Sequence, residues 1–204
     1  MEEEISDFDF EYRIITLGTT GVGKTSIIGR FVDDHFNINE LSTFGIKLSF
    51  KILNVSDNKK IKLNLIDTSG QEKYRSLSAS YFRNVDVVLF VFSLDTKSSF
   101  DGMQEWINTF KENNAGTYVK KMYLIGNKND LPQNIEQNEI DEFAKKNELL
   151  YMSTSAKSKN QINELFQIIG EDLYEESKKK QESVSTKQKT LKLSNEKDDK
   201  KKCC

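Results

Sequence analysis

The stretch "GTTGVGKT", Gly18 to Thr25, decides the fold. It fits G-x-x-x-x-G-K-[ST] and stands directly after "YRIITLG", a short apolar run that reads as a strand, and before "KTSIIGRFVDD", whose apolar spacing reads as a helix. The residue types follow from the chemistry of binding a phosphate. Glycines at 18, 21 and 23 let backbone N–H groups turn inward around phosphate oxygens, and the following helix points its positive end at them. Thr20, Gly21, Val22, Gly23 and Ser26 belong to that cradle; Lys24 is expected to reach the β- and γ-phosphates, and the Thr25 hydroxyl to bind Mg2+.

Working outward, short apolar strands alternate with amphipathic helical patterns, the signature of an α/β fold with a mostly parallel sheet covered by helices on both faces. Two strands, "IKLSFKILNV" and "IKLNLID", are joined by "SDNKK", where Asp57 and Asn58 suit a tight antiparallel hairpin. Further strands are "DVVLFVFSL", "KKMYLIGNK" and "ELLYMSTS", giving six in all, separated by helices near 97–113, 136–147 and 160–176. The single proline, Pro132, falls in a loop, and the lone histidine, His35, is an ordinary loop residue. The division expected is a short acidic N-terminal extension over 1–10, one domain over 11–176 and a flexible basic tail over 177–204.

Three later strings also follow strands. "LIDTSGQE" ends a strand with Asp67, placed to hold a magnesium water; Gly70 offers an N–H to a γ-phosphate, and the Gln71 amide both accepts from and donates to a water. "GNKND" brings Asn127 and Lys128 to brace a base and Asp130 to accept from N1–H and the 2-amino group of guanine. "TSAK" brings Ser155, Ala156 and Lys157, with the Ala156 N–H donating to guanine O6. Adenine lacks those two donors, so a carboxylate at Asp130 would be left unpaired and guanine is selected by roughly a thousandfold. Each string is weak alone, but four in order at strand ends are strong.

Composition narrows the classes. The formal net charge is only −2, but from Ser177 onward ten lysines face four acids, so the body is acidic and the tail basic. An acidic body argues against nucleic acid. The longest apolar run, "VDVVLFVFSL", is about half a membrane span, and "MEEEISDFDFEY" has no apolar signal core, so the chain is expected neither to be secreted nor to cross a bilayer. Its only cysteines are Cys203 and Cys204. Neighbouring thiols close no loop, and a single histidine makes no zinc site, which leaves covalent lipid attachment.

On these strings, from about Tyr12 to Tyr174, the sequence resembles the Ras superfamily of small GTPases. "DTSGQEKYRSLSASYF" and "TFGIKLSF" are similar to the second switch and the T-I-G-x-x-F segment of its Rab branch, and a terminal Cys-Cys is a Rab hallmark. The resemblance implies a monomeric GTPase that binds GTP and GDP with Mg2+ and hydrolyses GTP slowly, as a switch in vesicle trafficking. It implies that Thr43 reaches the magnesium when GTP is present, that Phe36 lies edge-on against the guanine, and that Lys24, Thr43, Gly70 and Gln71 form the catalytic set. It further implies geranylgeranyl groups on Cys203 and Cys204, lodging on the cytoplasmic face of an intracellular membrane with cycling through the cytosol. The partners implied are an exchange factor, a GTPase-activating protein, effectors, a Rab escort protein and a GDP-dissociation inhibitor. The chain departs from the pattern at Leu48 and Ile66, where Rab proteins carry aromatics that effectors read, and at Thr20 in the phosphate loop. Two rivals share parts of the motif set: a phosphate-loop kinase, which has no use for N-K-N-D with S-A-K, and a nucleotide-locked scaffold that never turns over.

Overall fold

The computed structural model describes residues 8–38, 43, 45–70, 81–114 and 117–199, with side chains to Lys180. Among the described residues one sheet has six strands: β1 Phe10–Leu17, β2 Ile46–Val55, β3 Lys59–Thr68, β4 Val87–Ser93, β5 Lys121–Asn127 and β6 Leu150–Ser153, in spatial order β2-β3-β1-β4-β5-β6. Only β2 runs antiparallel. The helices are α1 Lys24–Asp33, α2 Lys97–Asp101, α3 Met103–Asn113, α4 Gln137–Lys146 and α5 Ile162–Asp199.

Alternation along the strands divides the apolar residues between two cores. On β4, Val87, Leu89 and Val91 face the core shared with α1 and α5, while Val88, Phe90 and Phe92 face the one shared with α2, α3 and α4. A strand covered on both sides reads as a continuous apolar run, as this one does. Each fully buried side chain of this size contributes about 1.5–3 kcal/mol relative to exposure, so both layers are strongly held. Phe31 of α1 and Phe166 of α5 stack with ring centroids 3.7 Å apart, fixing the helix that carries the phosphate loop against the C-terminal helix.

The expected hairpin is present: Asp57 and Asn58 both take left-handed backbone, φ 57° and 55°, and the Lys59 N–H returns to the Ser56 carbonyl. Asp and Asn tolerate that region better than other non-glycine residues. Two expectations need correction. The helix near 97–113 is two helices, because the chain breaks at Gly102 between α2 and α3. The final helix, expected near 160–176, has a backbone that stays helical from Ile162 to Asp199; beyond residue 176 no glycine or proline ends it. Its junction is tied to the domain: Ser177 Oγ lies 2.6 Å from the Tyr12 hydroxyl, and Asp57 accepts from both the Tyr174 hydroxyl and Lys178 at 2.8 Å. Among the described residues no helix is long and apolar enough to cross a membrane.

Candidate functional site

The loops leaving the carboxyl ends of β1, β3, β5 and β6 converge on a cleft of about 430 Å³. In an open α/β sheet this is where ligands bind. The cleft has two chemically different ends.

At one end the phosphate loop runs into α1. Gly23 caps the helix with φ 95°, and a Cβ there would overlap the Asn127 amide. Gly70 comes so close to the Thr19–Thr20 backbone that a Cβ would overlap that as well, which is why this loop can lie directly beside the phosphate loop. Lys24 is buried, with Nζ donating to the Gly18 and Thr19 carbonyls at 2.7 and 2.9 Å. The Thr25 hydroxyl donates to Asp67 Oδ2 at 2.7 Å and stands 2.6 Å from the Thr43 hydroxyl. Asp67 is buried, and desolvation pushes its carboxyl above the usual carboxylate range, offset in part by the Thr25 hydroxyl and the Lys24 charge. A buried carboxylate of that kind is stabilised in its charged form by a neighbouring cation. Among the described residues no cluster of three His, Cys, Asp or Glu side chains could hold a metal. Two hydroxyls and one carboxylate instead form an all-oxygen set, which fits a hard cation that retains waters, as Mg2+ does.

At the other end Asp130 is held by the Ser155 hydroxyl and lies 4.0 Å from Lys157. Asn127 is buried; its Nδ2 donates to the Val22 carbonyl at 2.8 Å, and its Oδ1 accepts from Thr154 Oγ1 and the Ala156 N–H, each at 3.3 Å. This one amide therefore fastens the phosphate loop to both base-end loops. Lys128 takes φ 64° and approaches Asp95 at 3.9 Å. Phe36, Ala156 and Lys157 complete this end of the cleft.

The structure brings Thr20, Gly21, Gly23, Lys24, Thr25 and Ser26 together with Thr43 and Gly70 around one end of the cleft. The Val22 side chain packs in the core while its carbonyl accepts from Asn127, and Ser155 stands behind Asp130 rather than on the cleft wall. Gln71, Cys203 and Cys204 lie outside the described residues. Sequence reading missed Thr16, a buried hydroxyl that donates to Asp67 Oδ1 at 3.5 Å, and Thr154, which props Asn127. The signal for both was a polar residue inside a run that is otherwise buried. The two interswitch departures prove to be cross-strand partners: Leu48 pairs with Ile66, and of the two only Leu48 is exposed.

Comparison with known proteins agrees with this geometry. The Ras family model matches residues 13–175. The chain is 35% identical over 174 residues to Ras-related protein Rab-11B of Dictyostelium discoideum, spanning 82% of this chain and 78% of that one. It is 32% identical over 168 residues to Ras-related protein Rab-13 of Bos taurus, with 81% of each covered. To GTP-binding protein ypt3 of Schizosaccharomyces pombe it is 33% identical over 170 residues, with 82% and 78% covered. The chain belongs to the Ras family. Within that family it is a Rab-like small GTPase, a guanine-nucleotide switch of vesicle trafficking that hydrolyses GTP.

Proposed function

We propose that GTP binds along this cleft with its base at Asp130 and its phosphates on the loop 18–25, and that Thr43 and Gly70 report its third phosphate to the surface. What supports the reading most is one observation: Thr25, at the first turn of α1, is within hydrogen-bond reach of both Thr43 and Asp67, the latter at the carboxyl end of β3. Thr25, Thr43 and Asp67 are the residues that would hold Mg2+, which when bound neutralises charge between the β- and γ-phosphates. Lys24 exchanges its two carbonyl acceptors for phosphate oxygens, and the Asp130 carboxylate accepts from guanine. Gln71 orients the attacking water. With only about nineteen residues between Lys24 and Thr43, no inserted domain supplies an arginine, so intrinsic turnover is slow and an activating protein adds roughly 10³- to 10⁵-fold. Hydrolysis frees Thr43 and Gly70, and the effector-binding form is lost. Replacing Gln71 by Leu is expected to lower single-turnover hydrolysis while leaving GTP affinity within a few-fold, because water positioning acts in the transition state. An unchanged rate would favour the scaffold that never turns over.

The tail completes the reading. One lipid chain of modest length gives reversible attachment, and stable anchoring takes two signals, which geranylgeranyl groups on Cys203 and Cys204 provide. Lysines near an anionic leaflet add up to about 1 kcal/mol each, and the four acids of the segment offset part of that. Two such chains need shielding in water, hence a Rab escort protein for their addition and a GDP-dissociation inhibitor for extraction; an exchange factor reloads GTP. The protein therefore cycles between the cytosol and the cytoplasmic face of an intracellular membrane. Replacing both cysteines by serine is expected to leave the protein wholly in the soluble fraction of cells with GTP binding intact. A double variant still found in the membrane pellet would refute the lipid anchor.

A further inference from the structure

One cation outside the cleft reaches both walls of its base end. Arg30, in the last turn of α1, keeps its side chain 15% exposed. Its Nε donates to the Ala156 carbonyl at 2.9 Å, 126 positions away in the chain. The guanidinium carbon also lies 5.6 Å from the centre of the Phe36 ring, within the range of a cation–π contact. Nη1 donates to the Asp34 carbonyl at 2.8 Å and to its carboxylate at 3.1 Å, and Asp34 takes Lys159 at 2.6 Å. Ala156 and Phe36 line the cleft, whereas Arg30 does not.

The planar guanidinium makes this arrangement specific. Its separate N–H donors reach the Ala156 and Asp34 carbonyls while its central carbon stays within cation–π range of the Phe36 ring, a set of contacts that a lysine ammonium cannot reproduce. The outer ion pairs with Asp34 are exposed and contribute little on their own. The weight falls on the inner contacts, to Ala156 and Phe36. Asn127 already holds the Ala156 N–H, so the same peptide segment is fastened from inside by Asn127 and from outside by Arg30.

We propose that Arg30 is a positioning residue for nucleotide retention: it ties the Phe36 ring to the Ala156 loop, so that the two walls of the base pocket open together and release of guanine nucleotide requires that tie to break. The proposal rests on guanine occupying this end of the cleft. It makes the outer face of α1 a point from which exchange is controlled at the base end, away from the phosphates.

The test uses the full chain loaded with a fluorescent GDP analogue and chased with excess unlabelled GDP. Arg30→Gln is expected to speed release at least tenfold, Arg30→Lys to fall between it and the unaltered chain, and Asp34→Asn to change release less than threefold. A purely structural loss would not depend on the ring, so the decisive readout is a cycle with Phe36→Leu. The double change is expected to speed release by less than the product of the two single effects. Release within twofold of the unaltered chain for Arg30→Gln, or single effects that simply multiply, would overturn the proposal. If Arg30→Gln cannot be loaded, Arg30→Lys decides by the same twofold limit. An unaltered chain that fails to hold GDP defeats the guanine reading itself and this proposal with it, whereas tight GDP binding with an inert Arg30 defeats the proposal alone.

Discussion

Asp130→Asn is expected to weaken GTP binding by about a thousandfold, equivalent to about 4 kcal/mol, and to shift preference toward xanthosine triphosphate. A carboxylate accepts from the guanine N1–H and 2-amino group together, whereas an amide presents one acceptor and one donor to those two donors. One guanine donor is then left facing an N–H in a partly desolvated pocket, which costs more than the lost bond alone. Xanthine carries an oxygen at C2, and the new amide can donate to it. The geometry favours a clean result, because the Ser155 hydroxyl holds the side chain at 130 in place and an asparagine Oδ1 can accept from the same donor. Titration of the purified variant with GTP and xanthosine triphosphate measures both effects. GTP affinity at the wild-type level would remove Asp130 from the base pocket.

The second large effect is expected at the opposite end. Thr25→Asn should lower GTP affinity about a hundredfold while GDP affinity falls less, so that the purified protein carries GDP or nothing. The Thr25 hydroxyl stands between Thr43 and Asp67, at 2.6 and 2.7 Å, and is the hub of this oxygen cluster. Asparagine is longer and brings an N–H₂ into a space built for a hydroxyl beside a buried carboxylate. Losing a charge-assisted contact of this kind costs about 1.5–3 kcal/mol, or ten- to a hundredfold and somewhat more at the upper end. On the proposed reading the triphosphate would depend on the cation and on Thr43 together while the diphosphate would not engage Thr43, which sets the expected direction of the selectivity. Dissociation constants for both nucleotides, measured side by side with Mg2+, check it. An unchanged GDP-to-GTP ratio would place Thr25 outside the cation's coordination.

Both predictions concern residues that were legible as strings, and the reason is physical. A phosphate loop needs glycine where backbone must approach or turn left-handed, as at Gly23, and a lysine and a hydroxyl at the start of the helix, so the chemistry is written in adjacent letters. The fold was legible for a similar reason: the alternation on β4 and the Asp57–Asn58 reversal are local. What sequence could not show is tertiary. Arg30 stands beside the buried Ile27, Ile28 and Phe31 of α1 as a charged residue of ordinary type, and nothing adjacent to it signals that its partners are Phe36 and Ala156. The role of Asn127 as a fastener between loops is hidden likewise, because its acceptor is the backbone of Val22 and backbone carbonyls carry no letter. The break at Gly102 was missed because an amphipathic pattern continues on both sides of it. The final helix was cut short because the reading stopped where apolar periodicity stopped, although lysine, glutamine and serine without glycine or proline do not terminate a helix.

Whether guanosine triphosphate is held and cleaved in this cleft is tested most directly by single-turnover hydrolysis on the purified full chain. The chain is loaded with GTP, free nucleotide is removed, Mg2+ is added, and GDP is followed over time, with ATP carried through in parallel. The expected result is slow, complete conversion of bound GTP that depends on Mg2+, with no ATP retained after loading. Retention of ATP, or bound GTP that persists uncleaved in Mg2+ without limit, would contradict it.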